Sequence, residues 1–274
     1  MVVEHLLNSM DATDLQLAFN RCVMCLNAHI PSIQDRLYLY GVWDQFALLA
    51  NQVRAVICSY ENLRDRLTEA PVYLCAVIRR FARYLYETAQ YSESRRLTQM
   101  AIDILSKALG THNHPTHPEQ SVRTLQASLH ANLGHIFQDL GIMNFGIDKH
   151  VTEYNICEKP DLEDRQLLGW EARLLLGPRY QAPLAGPCYQ AKHSLGTALM
   201  AKQEYSRALT TFDIDNKDLV ELGYPSARDI LDFGICHRLQ GNLPQARKYI
   251  DDARARFSGR EFDDVEFSDR LVAA

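Results

Sequence analysis

No stretch of this 274-residue chain approaches the roughly 18 uninterrupted apolar residues that a membrane helix requires, which excludes a helical membrane protein. A basic excess is missing too. With 29 Lys and Arg against 34 Asp and Glu the formal charge is −5, so nucleic acid is not expected as a general partner. The amino terminus, Met1-Val2-Val3-Glu4-His5, lacks the basic and apolar blocks of a secretory signal. The expectation is a soluble, cytoplasmic chain whose seven cysteines are reduced thiols. Phosphate-binding and catalytic signatures are also lacking. There is no Gly-x-x-x-x-Gly-Lys-Ser/Thr loop to cradle a triphosphate, no Gly-x-Ser-x-Gly, no His-Glu-x-x-His and no dinucleotide glycine fingerprint. Neither a catalytic set nor a cofactor is therefore indicated. Alternating apolar and polar residues occur nowhere, which leaves an all-α fold.

What is present is helical periodicity. Residues 11–28 carry Leu15, Phe19, Cys22, Val23, Cys25 and Leu26, and Pro31 ends the run. Residues 35–60 present Leu37, Tyr40, Trp43, Phe46, Ala47, Ala50, Val53 and Ile57 at spacings of three and four, one apolar stripe. These two segments are expected to form a helical hairpin. Beyond Pro71 a longer rule appears: Gly196 and Ala208 are 12 residues apart, and so are Gly234 and Ala246, Gly134 and Gly146, and Ala82 and Ser94. A small residue in each helix of a hairpin lets the backbones approach while large apolar neighbours fill the groove. Four hairpins thus share one internal spacing.

Their separations are unequal, at 52, 62 and 38 residues, so extra chain must lie between hairpins. One insertion is Gly110-Thr111-His112-Asn113-His114-Pro115-Thr116-His117-Pro118, expected as a loop. The other combines a short helix over 162–176 with the Pro/Gly-rich segment Gly177 to Pro187. Asp263, Asp264, Glu266 and Asp269 make an acidic end, which suits a polar cap. The expected organisation is an N-terminal helical hairpin over 1–70, repeats over 71–257 with insertions near 110–118 and 161–188, and an acidic tail over 258–274.

Leu195-Gly196-x-x-Leu199 with Ala208-x-x-x-Phe212, and the later Phe233-Gly234 with Ala246 and Ile250, resemble tetratricopeptide repeats. The aromatic that usually opens the pattern is replaced by Ile78, His130, Lys192 and Ile230. Tyr91-Ser92-Glu93-Ser94, Ala101-Ile102-Asp103-Ile104-Leu105, Leu109-Gly110 and His114-Pro115-x-His117 are similar to the longer repeats of kinesin light chains and of fungal signalling ATPases of the STAND or NB-ARC type. The resemblance implies an α-α superhelix of stacked antiparallel hairpins. It further implies a partner-sensing region whose nucleotide module is absent from this chain.

Candidate sites follow from the repeat register. His112, His114 and His117 have imidazoles close enough in sequence to suggest a transition metal, but no acidic or cysteine ligand lies beside them, and no metal is expected. Cys22 and Cys25 form a Cys-x-x-Cys without a second ligand pair, and read as apolar-face cysteines. In a stacked array the first helix of each hairpin lines the concave surface. That register selects Arg79 and Arg83, then Asn132 and His135, then His193 and Thr197, then Arg238. The result is a polar groove with cationic ends, suited to carboxylates or the backbone of an extended peptide. In a carboxylate-clamp repeat, His193 would stand where a lysine is expected. The alternative for Arg79, Arg80 and Arg83 is a solvated helix face.

The functional expectation is a non-catalytic scaffold that binds a protein or peptide, a carboxylate-bearing one in particular, within a STAND-type signalling system. Two others stand beside it. A small-molecule enzyme could use His135, His193 or Tyr180 in a pocket closed by residues 180–189. Alternatively, the chain could act only beside an ATPase encoded elsewhere.

Overall fold

The computed structural model describes residues 9–31, 40–68, 71–110, 119–158, 185–212 and 227–257. All regular structure among them is helical: α1 (Ala12–His29), a 3-10 turn (Tyr40–Val42), α2 (Trp43–Leu63), α3 (Val72–Glu87), α4 (Tyr91–Gly110), α5 (Glu119–Asp139), α6 (Met143–Glu158), α7 (Ala185–Ala201), α8 (Tyr205–Thr211), α9 (Ala227–Leu239) and α10 (Leu243–Phe257). None of these helices is long and apolar enough to cross a membrane. His112, His114, His117, the segment 162–176, Tyr180 and the acidic residues 263–269 lie outside the described residues.

Helices α3 and α4, α7 and α8, and α9 and α10 pack as sequence-adjacent pairs, and the same turn follows α3, α5, α7 and α9. Ala89, Gly141, Gln203 and Gly241 all have positive φ, at 59°, 74°, 67° and 85°. The next residue's amide then reaches back to the last turn of the first helix. Gln90 bonds the carbonyl of Leu85, Ile142 that of Phe137, Glu204 that of Leu199 and Asn242 that of His237, at 2.8 to 2.9 Å. This six-to-one bond over a left-handed residue is the Schellman stop, which satisfies carbonyls that the helix end would otherwise orphan. Each left-handed residue lies seven positions after the small residue of its repeat, so the turn belongs to the same ruler as the packing.

The small positions seat different partners in different hairpins. Ser94 Oγ donates to the carbonyl of Ala82 at 2.7 Å, which joins α3 to α4 across the 12-residue interval. A Cβ on Gly234 would meet Ile250 Cγ1 at 2.9 Å and its amide nitrogen at 3.2 Å, and one on Gly196 would meet the Phe212 ring at 2.5 Å. In these two hairpins the glycine receives the large residue 16 positions on, while Ala208 and Ala246 are buried beside it.

The contacts divide the described residues into two compact units, one within Met1–Ile136 and Lys159–Gln181, the other within Phe137–Glu158 and Ala182–Ala274. The first unit is centred on α3, where Leu74, Cys75, Ala76, Val77, Ile78, Phe81, Ala82 and Leu85 are all fully buried. A helix with so broad an apolar face becomes the centre of its layer. Accordingly α1 and α2 each pack on α3 as well as on one another. Asp11 caps α1 by accepting from the Asp14 amide at 2.8 Å. Phe19, Val23 and Leu26 take its buried face, whereas Cys22 and Cys25 are exposed rather than apolar-face residues.

In the second unit α7 begins at Ala185, so the last three residues of the Pro/Gly-rich segment are helical rather than irregular. Pro187 falls in the first turn, where its missing N–H is not required. Ile147, Ala198, Leu199, Ala208, Phe212, Phe233 and Cys236 form one apolar cluster, and Ile230, Leu231, Ile250 and Ala253 form a second.

Candidate functional site

Helix α3 carries three arginines whose side chains diverge. Arg80 turns toward the end of α1, where its guanidinium donates to the carbonyls of Asn27 and Ile30 at 3.3 Å and to the Asn27 side chain. Burial, with Arg79 beside it, lowers its pKa to about 9. Arg79 reaches the other way and donates to Ser128 Oγ on α5 at 3.2 Å. Both arginines are 8% exposed, so they do not form a solvated face. Arg80 closes the carbonyl end of α1.

Arg83 is the most accessible of the three, with its side chain 25% exposed. Its Nε donates to Glu87 at 2.9 Å, and its guanidinium lies 5.0 Å from the centre of the Tyr86 ring. Glu87 also accepts from the Trp43 indole at 3.3 Å, which ties the cluster to the first residue of α2. Tyr86 also meets the imidazole of His135, at 6.3 Å between ring centres. Ser128, Asn132 and His135 are spaced by four and three and make one stripe along α5. Arg79 thus reaches α5 through Ser128, while Tyr86 joins Arg83 to His135 further along the same two helices.

Asn132 lies in the same stripe of α5. It is buried, and its Nδ2 donates to Thr98 Oγ1 at 2.9 Å and to Ser94 Oγ at 3.4 Å. Both hydroxyls spend their protons on main-chain carbonyls, those of Ala82 and Ser94, so toward the amide they can only accept. The amide orientation follows from this chain of bonds, and Oδ1 is left buried without a hydrogen bond. Asn132 therefore links three helices, α3, α4 and α5.

The remaining expected residues fall in the second unit. His193 on α7 sits between two carboxylates of α9, with Nδ1 3.4 Å from Asp229 and Nε2 3.4 Å from Asp232. Burial alone would lower its pKa. The hydrogen bond to Asp232 and the charges of Asp229 and Asp232 outweigh burial and the opposing Arg228, so the net shift is upward. The Phe212 ring covers the imidazole at 5.4 Å. Thr197 returns its hydroxyl to the Ser194 carbonyl at 2.9 Å, within its own helix. Arg238 is exposed in the last turn of α9. Next to it His237 stacks on Tyr249 at 5.6 Å with Phe233 at right angles to both, and burial lowers its pKa.

Sequence reasoning missed Tyr86, Glu87, Asp229 and Asp232. The first two are three and four residues after Arg83, a spacing that marks helical neighbours and was available. Nothing in the sequence couples His193 to residues 36 and 39 positions away. Among the described residues no group of three or more His, Cys, Asp or Glu is arranged to hold a metal ion.

No family model matches the sequence. No curated protein matches it significantly either. Among solved structures, the chain is similar to nearly identical TPR-like repeats from Podosopora anserina, described there as those of a kinesin light chain. The identity is 13% and the TM-score 0.47, over 81% of this chain and 96% of that one.

Proposed function

We propose that the protein is a non-catalytic interaction scaffold, and that the wall between α3 and α5 takes an extended, carboxylate-bearing protein segment. The observation that carries this reading is the accessible Arg83 guanidinium set over Tyr86, with His135 in contact with the same ring. A guanidinium can pair with a carboxylate in two-pronged fashion, and a ring with cationic or imidazole neighbours offers an apolar surface beside it. Arg79 and Asn132 act from behind by fixing α5 against α3 and α4. In the second unit the exposed Arg238 is the corresponding contact, while His193 and Thr197 serve the joint between helices. By the likeness of residues 91–117 to repeats of signalling ATPases, the natural setting is a STAND-type system inside the cell.

A library of acidic peptides selected against the immobilised full chain tests this reading. Selected peptides should lose about tenfold in affinity on Arg83→Ala, the loss expected of one charge-assisted contact, and more on the double change Arg79→Ala with Arg83→Ala. Far-ultraviolet circular dichroism should not change. Affinity unaltered by both variants would refute the wall as the site, and retention of small metabolites alone would refute the scaffold.

A further inference from the structure

We propose that Cys22 and Cys25 form a two-thiolate site on the exposed face of α1 that binds a soft monovalent cation, Cu(I), one per chain. The site belongs to the first unit and stands apart from the peptide reading, since α1 carries none of the residues assigned to it.

The use of cysteine along the chain sets this pair apart. Cysteine is among the residue types most often buried, and Cys75, Cys157 and Cys236 follow that habit. Helix α1 does not need Cys22 or Cys25 for packing. Leu15, Phe19, Val23 and Leu26 already fill its buried face, while both thiols are exposed and free. Three positions apart, they lie one turn from each other on the same side of the helix.

The spacing decides what the pair can hold. Residues three apart on a helix have Cβ atoms about 5–6 Å from each other. A disulfide needs them at about 3.5–4.5 Å, so the helix would have to give way before the two thiols could close on one another. A cation bridge is wider. With metal–sulfur bonds of about 2.3 Å, two thiolates on opposite sides of one ion stand up to about 4.6 Å apart. The two sulfurs reach that separation by leaning toward each other within their ordinary rotamers.

The number of ligands then selects the ion. Thiolates favour soft cations, Cu(I) and zinc among them. A structural zinc site is closed by four ligands, and among the described residues no group of three or more His, Cys, Asp or Glu is arranged to hold a metal. His29, one turn beyond Cys25, has Nδ1 2.7 Å from the Cys25 carbonyl. A carbonyl can only accept, so this nitrogen keeps its proton and has no lone pair to offer. Two thiolates remain, a number that satisfies Cu(I), whose filled d shell accepts linear coordination. Binding forms two Cu–S bonds, releases two thiol protons to solvent and changes no oxidation state. The product carries one negative charge. Arg21, exposed and four residues before Cys25, sets a guanidinium on the same face to balance it.

The test uses the full chain, reduced and free of oxygen, titrated with Cu(I) in competition with the chelator bathocuproine disulfonate. Native mass spectrometry should show one copper per single chain, and X-ray absorption at the copper edge should show two sulfur ligands and no nitrogen. Cys22→Ser and Cys25→Ser should each weaken binding by about a hundredfold or more, beyond the loss expected for a supporting partner. Cys58→Ser, which removes the exposed thiol of α2, should leave affinity unchanged. All three positions are exposed, so far-ultraviolet circular dichroism of the variants should match that of the wild type. Failure of the wild type to take copper from the chelator overturns the site, as does wild-type affinity in either Cys22→Ser or Cys25→Ser. A nitrogen ligand in the absorption spectrum, or copper held only between two chains, overturns it as well.

Discussion

Ala89 and Gln203 hold positive φ without being glycine, in the same turn where Gly141 and Gly241 carry it freely. A Cβ in the left-handed region costs about 1–2 kcal/mol, partly offset by the greater flexibility of glycine in the unfolded chain. Ala89→Gly and Gln203→Gly should therefore each raise stability by about 0.5–1 kcal/mol in urea unfolding. Gly141→Ala and Gly241→Ala should lower it by about 1 kcal/mol through backbone strain alone, since nothing lies within 4 Å of the added carbon. Gly234→Ala is a different case, because its Cβ would press on both the side chain and the main chain of Ile250. A loss of about 1–3 kcal/mol is expected there from overpacking, and an unchanged unfolding midpoint would contradict the close approach of α9 and α10. Sequence spacing identified Gly196 and Gly234 as packing positions. It did not identify Ala89 or Gln203 as turn residues, because nothing in their chemistry favours that conformation.

Among elements, the clearest case is the attachment of α2 to α4. Arg54 grips Glu93 through two bonds of 2.8 Å and lies over the Phe81 ring at 5.4 Å, and Arg96 pairs with Glu61 at 2.7 Å. The Arg54 hydrogen bond holds the Glu93 carboxyl below its ordinary pKa. Its contribution to stability is thus present above about pH 4.5 and is lost as pH falls through the depressed value. A double-mutant cycle of Arg54→Ala and Glu93→Ala should give a coupling of about 0.5–1 kcal/mol at pH 7, reduced for partial exposure, and close to none at pH 3. Coupling that persists in acid would mean that packing, rather than charge, joins the two helices. The apolar stripe of α2 was legible from its spacing, but its partners were not: one face of a helix specifies that it will be buried, not against what.

For the molecule as a whole, buried titratable groups set how stability varies with pH. In α6, His150 Nδ1 lies 3.0 Å from Glu153, and burial drives the histidine down to about 4 and the carboxyl up to about 8. The lowered histidine favours folding more as pH rises to about 6.5, while the raised carboxyl favours it less from about pH 4.5 upward, so the two oppose one another over that interval. Above it stability is lost from Glu153 through about pH 8 and from His193 through its own raised value, and the lowered Arg80 begins to oppose these losses only near pH 9. Thermal unfolding should therefore occur at lower temperature at pH 9 than at pH 6.5. Glu153→Gln and His193→Gln should each remove part of that fall, and a midpoint equal at both pH values would refute the account.

The sequence by itself determined the all-α class, the pairing of helices and the common 12-residue ruler, because helical periodicity and small-residue spacing are local properties of the chain. It also placed Arg79, Arg83 and His135 in one register, since successive first helices repeat the same geometry. Only the tertiary structure decided that Arg80 turns to α1 while Arg79 turns to α5, that Tyr86 joins Arg83 to His135, and that His193 is clasped by α9. Those outcomes rest on contacts between residues far apart in sequence. Burial and charge there depend on which surfaces meet, and no periodicity within one helix encodes that meeting.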